Sequence, residues 1–446
     1  MRKAIVYTER TPAFGVWLGY VSCVVALCFS GAFAQESLTD LSTQSGFPKV
    51  SVAVREADER RRLYQPKGFE KSGIRFDAGF EERIVWDDNP LAQSSRGRAR
   101  LRAVSSAEGH LVFGPRDWRL GAEGRVRDIR GASEDNASHV DGGLVLSLEG
   151  EAWRSARLSA GFSARRSYET PGSPLTSGTT VCPIPVETYR VAAKKLTRRA
   201  LWFMALGGQA QKEDYHAGCF ADGRPFPQDD RDRLELQSFL RLGASPTSQL
   251  DIFWGASRRT SLHHHVQPYS TQLGFKEDRR LIGVAFDMND RLIGEVSHGR
   301  SRVHWFSPLI HPVEIPVTEV SASWSVTSLT TVAGLYEQSV KEGSQLGYAG
   351  ALFRHVSIGA HHELLRNVEL GVKVSHDRWV WQPTFLQEDI EQKRQDDKTT
   401  LELSTKFSLG PHVYLGVDAH REWARSSESY NTHNRTRVSA RIGVRL

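Results

Sequence analysis

The sequence predicts an all-β fold, a transmembrane antiparallel β-barrel of about 18 strands with both termini in the periplasm. Three observations support this fold class. Apolar and polar residues alternate with a period of two, short and long polar breaks alternate between the strands, and only residues 15–34 are apolar enough for a membrane helix. The mean hydropathy of −0.42 excludes a bundle of membrane helices.

Residues 1–34 are predicted to be a cleaved secretory signal peptide. A basic stretch (residues 2–10) is followed by an apolar run (residues 16–29) and by Ala32-Phe33-Ala34. Signal peptidase requires small residues at the −3 and −1 positions, so we expect cleavage after Ala34, with an uncleaved anchor as the alternative. Cleavage lowers the formal net charge from +6 to about +4, which is not typical of a nucleic-acid-binding domain.

The next segment, residues 35–72, is predicted to be a short N-terminal segment in the periplasm. Residues 37–47 are rich in Ser and Thr, and a charged run follows at residues 56–62. The segment is too short for a domain of its own, so it is either a linker or a plug fragment in the lumen. The barrel is predicted to occupy residues 73–446.

The strand prediction depends on an alternation that is clearest at the end of the chain. From residue 435 to residue 446 every second residue after Thr436 is apolar, and most of the intervening residues are arginine. Residues 73–86, 118–127 and 157–165 show the same period. A soluble sandwich also alternates, but a barrel with lipid on one face and a wet lumen on the other requires this pattern.

The breaks between strands also indicate a membrane barrel. Short breaks such as Gly114–Asp117 and Gly410–Pro411 alternate with long polar ones such as residues 169–185 and 382–397. Tight periplasmic turns and longer outer loops produce this order. An even number of strands then returns the chain to the side on which it started.

The tryptophans are predicted to form two belts at headgroup level. Near the short breaks lie Trp118, Trp153 and Trp202, and near the long ones lie Trp86, Trp305, Trp379, Trp381 and Trp423. The alternative interpretation is that the tryptophans are scattered in a soluble all-β protein.

The alternation places thirteen arginines on the predicted lumen face. They are Arg75, Arg98, Arg100, Arg102, Arg119, Arg125, Arg127, Arg157, Arg165, Arg435, Arg437, Arg441 and Arg445. Many come together on one wall once the first and last strands pair. Arginines that line a pore favour anions, and a guanidinium binds a carboxylate or phosphate through two parallel hydrogen bonds, so we expect contact with a polymer or anions. The alternative is that these arginines pair with acids across strands and hold the wall together.

Cys182 and Cys219 fall in consecutive predicted outer loops, on either side of one hairpin. Adjacent loops can bring two cysteines within bonding reach, so a disulfide is predicted over free thiols. Neither His263-His264-His265, in a predicted outer loop, nor His361-His362 predicts a metal site, because a metal needs convergent ligands in a fixed geometry. Adjacent histidines on a strand, such as His361-His362, point to opposite faces. We also find no Gly-x-Ser-x-Gly, phosphate-loop, CxxC or HExxH motif, so no enzyme and no cofactor is predicted.

Three short patterns resemble the type-two β-barrel porin family of bacterial outer-membrane proteins. They are Tyr64-Gln65-Pro66-Lys67-Gly68, Trp86-Asp87-Asp88-Asn89 and the closing series Arg425, Ser427, Tyr430, Asn434 and Arg435. Gln65 replaces the family's usual Asp, and Leu446 stands where the terminal strand usually presents an aromatic residue to the barrel assembly machinery. The resemblance covers residues 60–446 in layout. It implies export of a surface polysaccharide beside a periplasmic copolymerase and an inner-membrane polymerase.

The leading functional hypothesis is therefore an outer-membrane channel that exports a surface polysaccharide or exopolysaccharide, possibly an acidic one. The first alternative is a general or solute-specific diffusion porin. A barrel enzyme that acts on lipid is less favoured, and a structural or adhesive barrel is the fourth hypothesis. The expected partners are outer-membrane lipid and the polysaccharide, with no nucleic acid.

Overall fold

The computed structural model describes the barrel and part of its loops. The described residues are 68–92, 94, 99–114, 117–131, 138–153, 156–169, 182–219, 223–263, 274–289, 291–306, 311–342, 348–383 and 394–446. The predicted signal peptide (residues 1–34), most of the predicted periplasmic segment (residues 35–72) and Arg98 lie outside these residues. Among the described residues no helix is long and apolar enough to cross a membrane.

Within the described residues, eighteen long strands form the wall. In chain order they are β1 (Ile74–Asp87), β2 (Arg100–Phe113), β3 (Trp118–Gly131), β4 (His139–Trp153), β5 (Ala156–Glu169), β6 (Ile184–Arg199), β7 (Trp202–Tyr215), β8 (Arg233–Thr247), β9 (Leu250–His263), β10 (Phe275–Met288), β11 (Leu292–Trp305), β12 (Val313–Thr327), β13 (Thr330–Glu342), β14 (Tyr348–Leu365), β15 (Val368–Pro383), β16 (Gln395–Ser408), β17 (Val413–Ser426) and β18 (His433–Arg445). Each strand pairs antiparallel with the next along the chain.

The first and last strands close the barrel. β18 pairs with β1 from Gly79 opposite Arg445 to Asp87 opposite Arg437. A short strand, Phe69–Lys71, folds back onto the start of β1. The prediction of a closed antiparallel barrel of about 18 strands is therefore confirmed.

The connections alternate as the sequence predicts. Turns of two to four residues join β2 to β3, β4 to β5 and so on at one end, which we call the turn end, and longer connections lie at the other, the loop end. The turn after β2 needs Gly114, whose φ is +142° and where a Cβ would lie 2.1 Å from the Trp118 carbonyl oxygen. β1 begins and β18 finishes at the turn end. That this end faces the periplasm stays a prediction.

Contacts between non-adjacent strands identify the lumen face. Arg241 on β8 contacts Glu295 on β11, and Tyr414 on β17 contacts Glu81 on β1, although other strands lie between. Such contacts are possible only on the concave side of the sheet. The opposite face exposes large apolar side chains, including Ile84 and Ile282. The wall thus has the apolar exterior and polar interior of a membrane barrel.

One strand pair separates in its loop half. The β12–β13 ladder covers Val320–Thr327, although β12 begins at Val313 and β13 continues to Glu342. Val340 of β13 is buried against Phe275 and Val303, which lie on the lumen faces of β10 and β11. The loop half of β13 therefore bends into the lumen, while β14 remains paired with it.

Candidate functional site

The predicted arginine wall forms as one continuous surface. Register along β17, β18 and β1 through β5 places on the lumen face Arg75, Arg100, Arg102, Arg119, Arg125, Arg127, Arg157, Arg165, Arg435, Arg437, Arg441 and Arg445. Only Arg98 of the predicted set lies outside the described residues. Since β18 pairs with β1, the arginines of the last strand stand beside those of the first strands.

Several of these arginines hold the wall together. At the loop end, Arg435 donates to both carboxylate oxygens of Asp87, and Arg102 donates to the same carboxylate at 2.7 Å. Nearer the turn end, the Arg441 guanidinium lies 3.2 Å from a carboxylate oxygen of Asp418 and 3.6 Å from one of Glu81. These ion pairs join strands on both sides of the β1–β18 pairing, which we call the seam, so their arginines have a structural role.

Two further pairs occur on the same wall. Arg127 contacts Asp141 on the neighbouring strand, and Arg75 lies 3.2 Å from Asp77. Arg125 approaches Glu108 only to 3.9 Å and stays exposed. Arg445 places its guanidinium 4.4 Å from the ring centre of Tyr414 at the turn end, a cation–π contact.

Other arginines of the wall are open to the lumen. Arg119, Arg157 and Arg165 are exposed, and none has an ion-pair partner among the described side chains. Arg437 is half-buried, and its Nε has no hydrogen-bond partner within the described part of the chain. The three exposed side chains, Arg119, Arg157 and Arg165, therefore remain available to an anion.

A cavity of about 650 Å³ lies against this wall, between β1 and β13. Arg83 and Arg437 line it from the seam, and Lys373 lines it from β15. Glu402 and Asp418 add carboxylates. The cavity is therefore charged but mixed in sign, as expected for an aqueous lumen.

A second charged cluster, which the sequence analysis missed, lies on the opposite wall. Glu277 on β10 is buried and receives hydrogen bonds from Arg259 (3.0 Å), Arg279 (3.2 Å) and Ser301 (2.6 Å). Arg279 also contacts Glu319. The period-two pattern in β8 to β12 carries the signal for this cluster, since all of these residues occupy lumen positions.

The bent half of β13 rests on this cluster and narrows the lumen. Arg259 donates to the Val340 carbonyl oxygen at 2.7 Å, and Gln338 accepts a hydrogen bond from the Thr318 backbone N–H at 3.1 Å. These contacts satisfy backbone groups that no longer pair in the ladder. Residues 337–342 thus form a constriction near the loop end.

The predicted loop-end tryptophan belt is only partly correct. Trp86 and Trp423 are exposed on the outward face. Trp305, Trp379 and Trp381 are instead buried on the lumen side, where Trp381 donates to Asp396 at 2.6 Å. The prediction is wrong for these three because strand register places them on the lumen faces of β11 and β15, where they pack in apolar clusters.

Two further predictions concern the loops. Cys182 and Cys219 are joined in the structure, with their Cα atoms 5.4 Å apart, and link the connection before β6 to the one after β7. Within the described ranges no three His, Cys, Asp or Glu side chains converge as metal ligands. His361 and His362 point to opposite faces, toward Glu369 and Thr330.

The Trp86-Asp87-Asp88-Asn89 pattern has a clear role in this geometry. Asp87 pairs with Arg435, Asp88 accepts from the Thr436 backbone N–H at 2.6 Å, and Asn89 donates to the Asn434 carbonyl at 3.0 Å. All three partners lie on β18. The start of the loop after β1 is therefore held to β18 by an ion pair and two hydrogen bonds.

A closed barrel with an apolar exterior and a charged lumen defines the class of porin-type outer-membrane proteins. The family described as "Putative beta-barrel porin 2" matches residues 64–446, and the chain belongs to this family. Among curated proteins, none matches the chain in sequence. The membership confirms the resemblance and places the chain in the outer membrane.

The chain also resembles solved structures at low identity. The FrpB iron transporter of Neisseria meningitidis is 7% identical with a TM-score of 0.46, over 84% of this chain and 67% of FrpB. Acinetobacter baumannii OccAB3 is 12% identical with a TM-score of 0.42, over 84% of this chain and 100% of OccAB3. Pseudomonas aeruginosa OpdL is 9% identical with a TM-score of 0.42, over 84% and 99%.

Proposed function

We propose that this barrel exports an acidic surface polysaccharide through its arginine-lined lumen. The observation that carries the proposal is the arginine-rich wall, where arginines alternate with acids such as Glu81 and Asp418. It extends from Arg119, Arg157 and Arg445 at the turn end to Arg165 and Arg435 at the loop end. Successive lumen positions on a strand are about 7 Å apart. A polymer with regularly spaced carboxylates would therefore meet a new guanidinium at short intervals.

The exposed arginines have the properties that such a path requires. Arg119, Arg157 and Arg165 are solvated, so each contact with a carboxylate is weak and breaks easily. A polymer that is held tightly at one point would not move. The paired arginines, such as Arg435 and Arg441, keep the wall closed around the path.

Export through this barrel would need partner proteins but no reaction catalysed inside the barrel. Movement of the chain would be driven by synthesis, through an inner-membrane polymerase and a periplasmic copolymerase. The barrel itself would act as a passive conduit, with no cofactor and no enzymatic step. Export would proceed from a periplasmic turn end to an outer loop end.

The test uses a deletion strain with a complemented control. We expect surface polysaccharide to fall on deletion, with accumulation in the periplasm or reduced synthesis, and to return with the wild-type gene. Unchanged surface polysaccharide in the deletion strain would contradict export. An assay of lipid turnover by the purified barrel, where we expect none, tests the enzyme alternative separately.

The main alternative is a diffusion porin, and the buried cluster around Glu277 favours it. Acidic side chains such as Glu319 stand on the wall opposite the arginines, and residues 337–342 narrow the lumen between them. A narrow passage lined by charges of both signs selects among small ions and solutes. This function predicts steady conductance in a planar bilayer and normal surface polysaccharide after deletion.

A further inference from the structure

The outward face of β9 to β11 departs from the apolar exterior in its loop half. Toward the turn end, Ile282 is 66% exposed and Trp254 is 41% exposed, as expected for residues that face lipid. Nearer the loop end, the same face carries Arg258, Lys276, Arg280, Arg300, Arg302 and His304, and His298 lies directly opposite Ile282. An arginine at the bilayer midplane is strongly destabilising, so this patch must lie at headgroup level or beyond.

Register places like charges directly opposite each other within the patch. Arg280 on β10 faces Arg300 on β11 across the ladder. Like charges in this position are destabilising without a shared anion. Glu314 accepts from Arg300 at 2.8 Å, and Asp278 accepts from Arg258 at 2.6 Å.

Two arginines remain after these pairings. Among the described side chains, no carboxylate is within ion-pair distance of Arg280 or Arg302. Asp278 and Glu314 are the acidic groups that face the patch, and each is already engaged. The patch therefore keeps a net positive charge that an external anion can neutralise.

A groove lies directly beneath this charge. It has a volume of about 600 Å³ and is lined by Leu240, Trp254 and Ala256 on its apolar side. Its polar side has Arg258, Arg280 and Asp278, whose carboxylate is already engaged by Arg258. The groove thus combines a surface for hydrocarbon with two guanidinium groups. This combination matches one molecule class, a membrane lipid with a phosphorylated headgroup.

We propose that the outward face of β8 to β11 binds a phosphate-bearing lipid of the leaflet that meets the loop end. Its phosphate lies between Arg280 and Arg302, and an acyl chain follows Leu240 and Trp254. Arginine suits this role because its planar fork contacts two phosphate oxygens at once. The site is independent of the polysaccharide path, since it lies on the other face of the wall.

The experiment measures lipid binding to the purified full-length barrel in detergent by native mass spectrometry. The probes are lipid A with two phosphates, the same lipid after enzymatic removal of its phosphates, and inorganic phosphate. We expect R280Q/R302Q to bind the bisphosphorylated lipid at least about tenfold more weakly than wild type, because two charge-assisted contacts are lost. R280K/R302K should recover part of the affinity.

A matched control exists on the same face. Arg354 on β14 opposes Arg378 on β15, but Arg378 already donates to Gln395 at 2.7 Å. R354Q/R378Q removes the same charge and should bind the lipid as wild type does. Equal loss in both double variants, or equal binding of the dephosphorylated lipid, would overturn the proposal. Binding of inorganic phosphate as tight as that of the lipid would also overturn it.

Discussion

Arg435 and Asp87, which are 348 residues apart in the chain, form a two-point ion pair across the closure of the barrel. The Arg435 Nη2 to Asp87 Oδ2 distance is 2.6 Å, and the Asp87 side chain is fully buried. Arg102 from β2 contacts the same carboxylate. One aspartate therefore holds the first, second and last strands together at the loop end.

Replacing Asp87 with Asn should destabilise the closed barrel. Arg435 and Arg102 would then lack a counter-charge in a buried position, and removal of one partner from a buried ion pair costs about 3–5 kcal/mol. We expect a lower free energy of unfolding for D87N, measured by urea titration of the barrel in lipid vesicles.

D128N is the control for this experiment, because Asp128 pairs with the exposed Arg130 at the same end of the barrel. Exposed ion pairs contribute little to stability. Similar unfolding curves for D87N and wild type would contradict a structural role for the Asp87 pair.

The open arginines should determine ion selectivity. R157E/R165E reverses two unpaired lumen charges, so the permeability ratio of anions to cations should fall. The reversal potential in a salt gradient across a planar bilayer measures this ratio. The shift should be larger at 0.01 M salt than at 1 M, since the Debye length falls from about 30 Å to about 3 Å.

R441E is unsuitable for this purpose, although it replaces an arginine of the same wall. Arg441 lies beside Glu81 and Asp418, so the variant would bring three carboxylates together. We expect it to assemble poorly, as measured by the heat-sensitive mobility of the folded barrel. If R441E assembles normally and R157E/R165E leaves selectivity unchanged, the division into structural and open arginines is wrong.

The loop half of β13 should limit conductance. Arg259 donates to the Val340 carbonyl oxygen of this segment, and Glu277 on β10 holds the Arg259 side chain in place. We expect R259Q to loosen residues 337–342 and to raise the single-channel conductance. R258Q is a matched control, because Arg258 is the neighbouring residue on the outward face. Equal conductance for R259Q and wild type would show that β13 does not form the narrowest part.

Reduction of the Cys182–Cys219 bond should lower stability without changing the lumen. The two cysteines are 37 residues apart in the chain. A covalent loop of this size stabilises by about 3–4 kcal/mol in the chain-entropy view. We expect C182S/C219S, or wild type with reductant, to unfold at a lower temperature and to keep its ion selectivity.

A single cysteine variant tests whether the bond is formed in the isolated protein. C182S should run on gels as the reduced wild type does. A reductant-sensitive shift in wild type, absent from C182S, would establish the bond. No effect of reductant on either protein would contradict it.

The alternation of residue types was sufficient to predict the wall. A strand has only two faces, so Arg437 and Arg441 follow from the apolar neighbours Val438 and Ile442 alone. The seam between β1 and β18 follows from the even number of strands. These features depend on local pattern, which the sequence contains directly.

The constriction could not be predicted in the same way. Val340 is buried because Phe275 and Val303, more than thirty residues away in the chain, offer it an apolar surface. Trp379 and Trp381 occupy lumen positions by the same alternation, since Val372 and Val374 face outward, but their closeness to a long connection suggested the outer belt instead. Alternation assigns a residue to a face, but it does not say where two paired strands separate.

The contacts of Asp87 and Asn89 with the last strand have a consequence for biogenesis. Both edges of the sheet remain open until residues 433–445 are in place, and open strand edges invite pairing with other chains. A polypeptide cut short before residue 433 would lack every partner that Asp87, Asp88 and Asn89 find on β18. Closure of the barrel at β1 therefore depends on the last strand, so the sheet edges can close only after residues 433–445 have been synthesised.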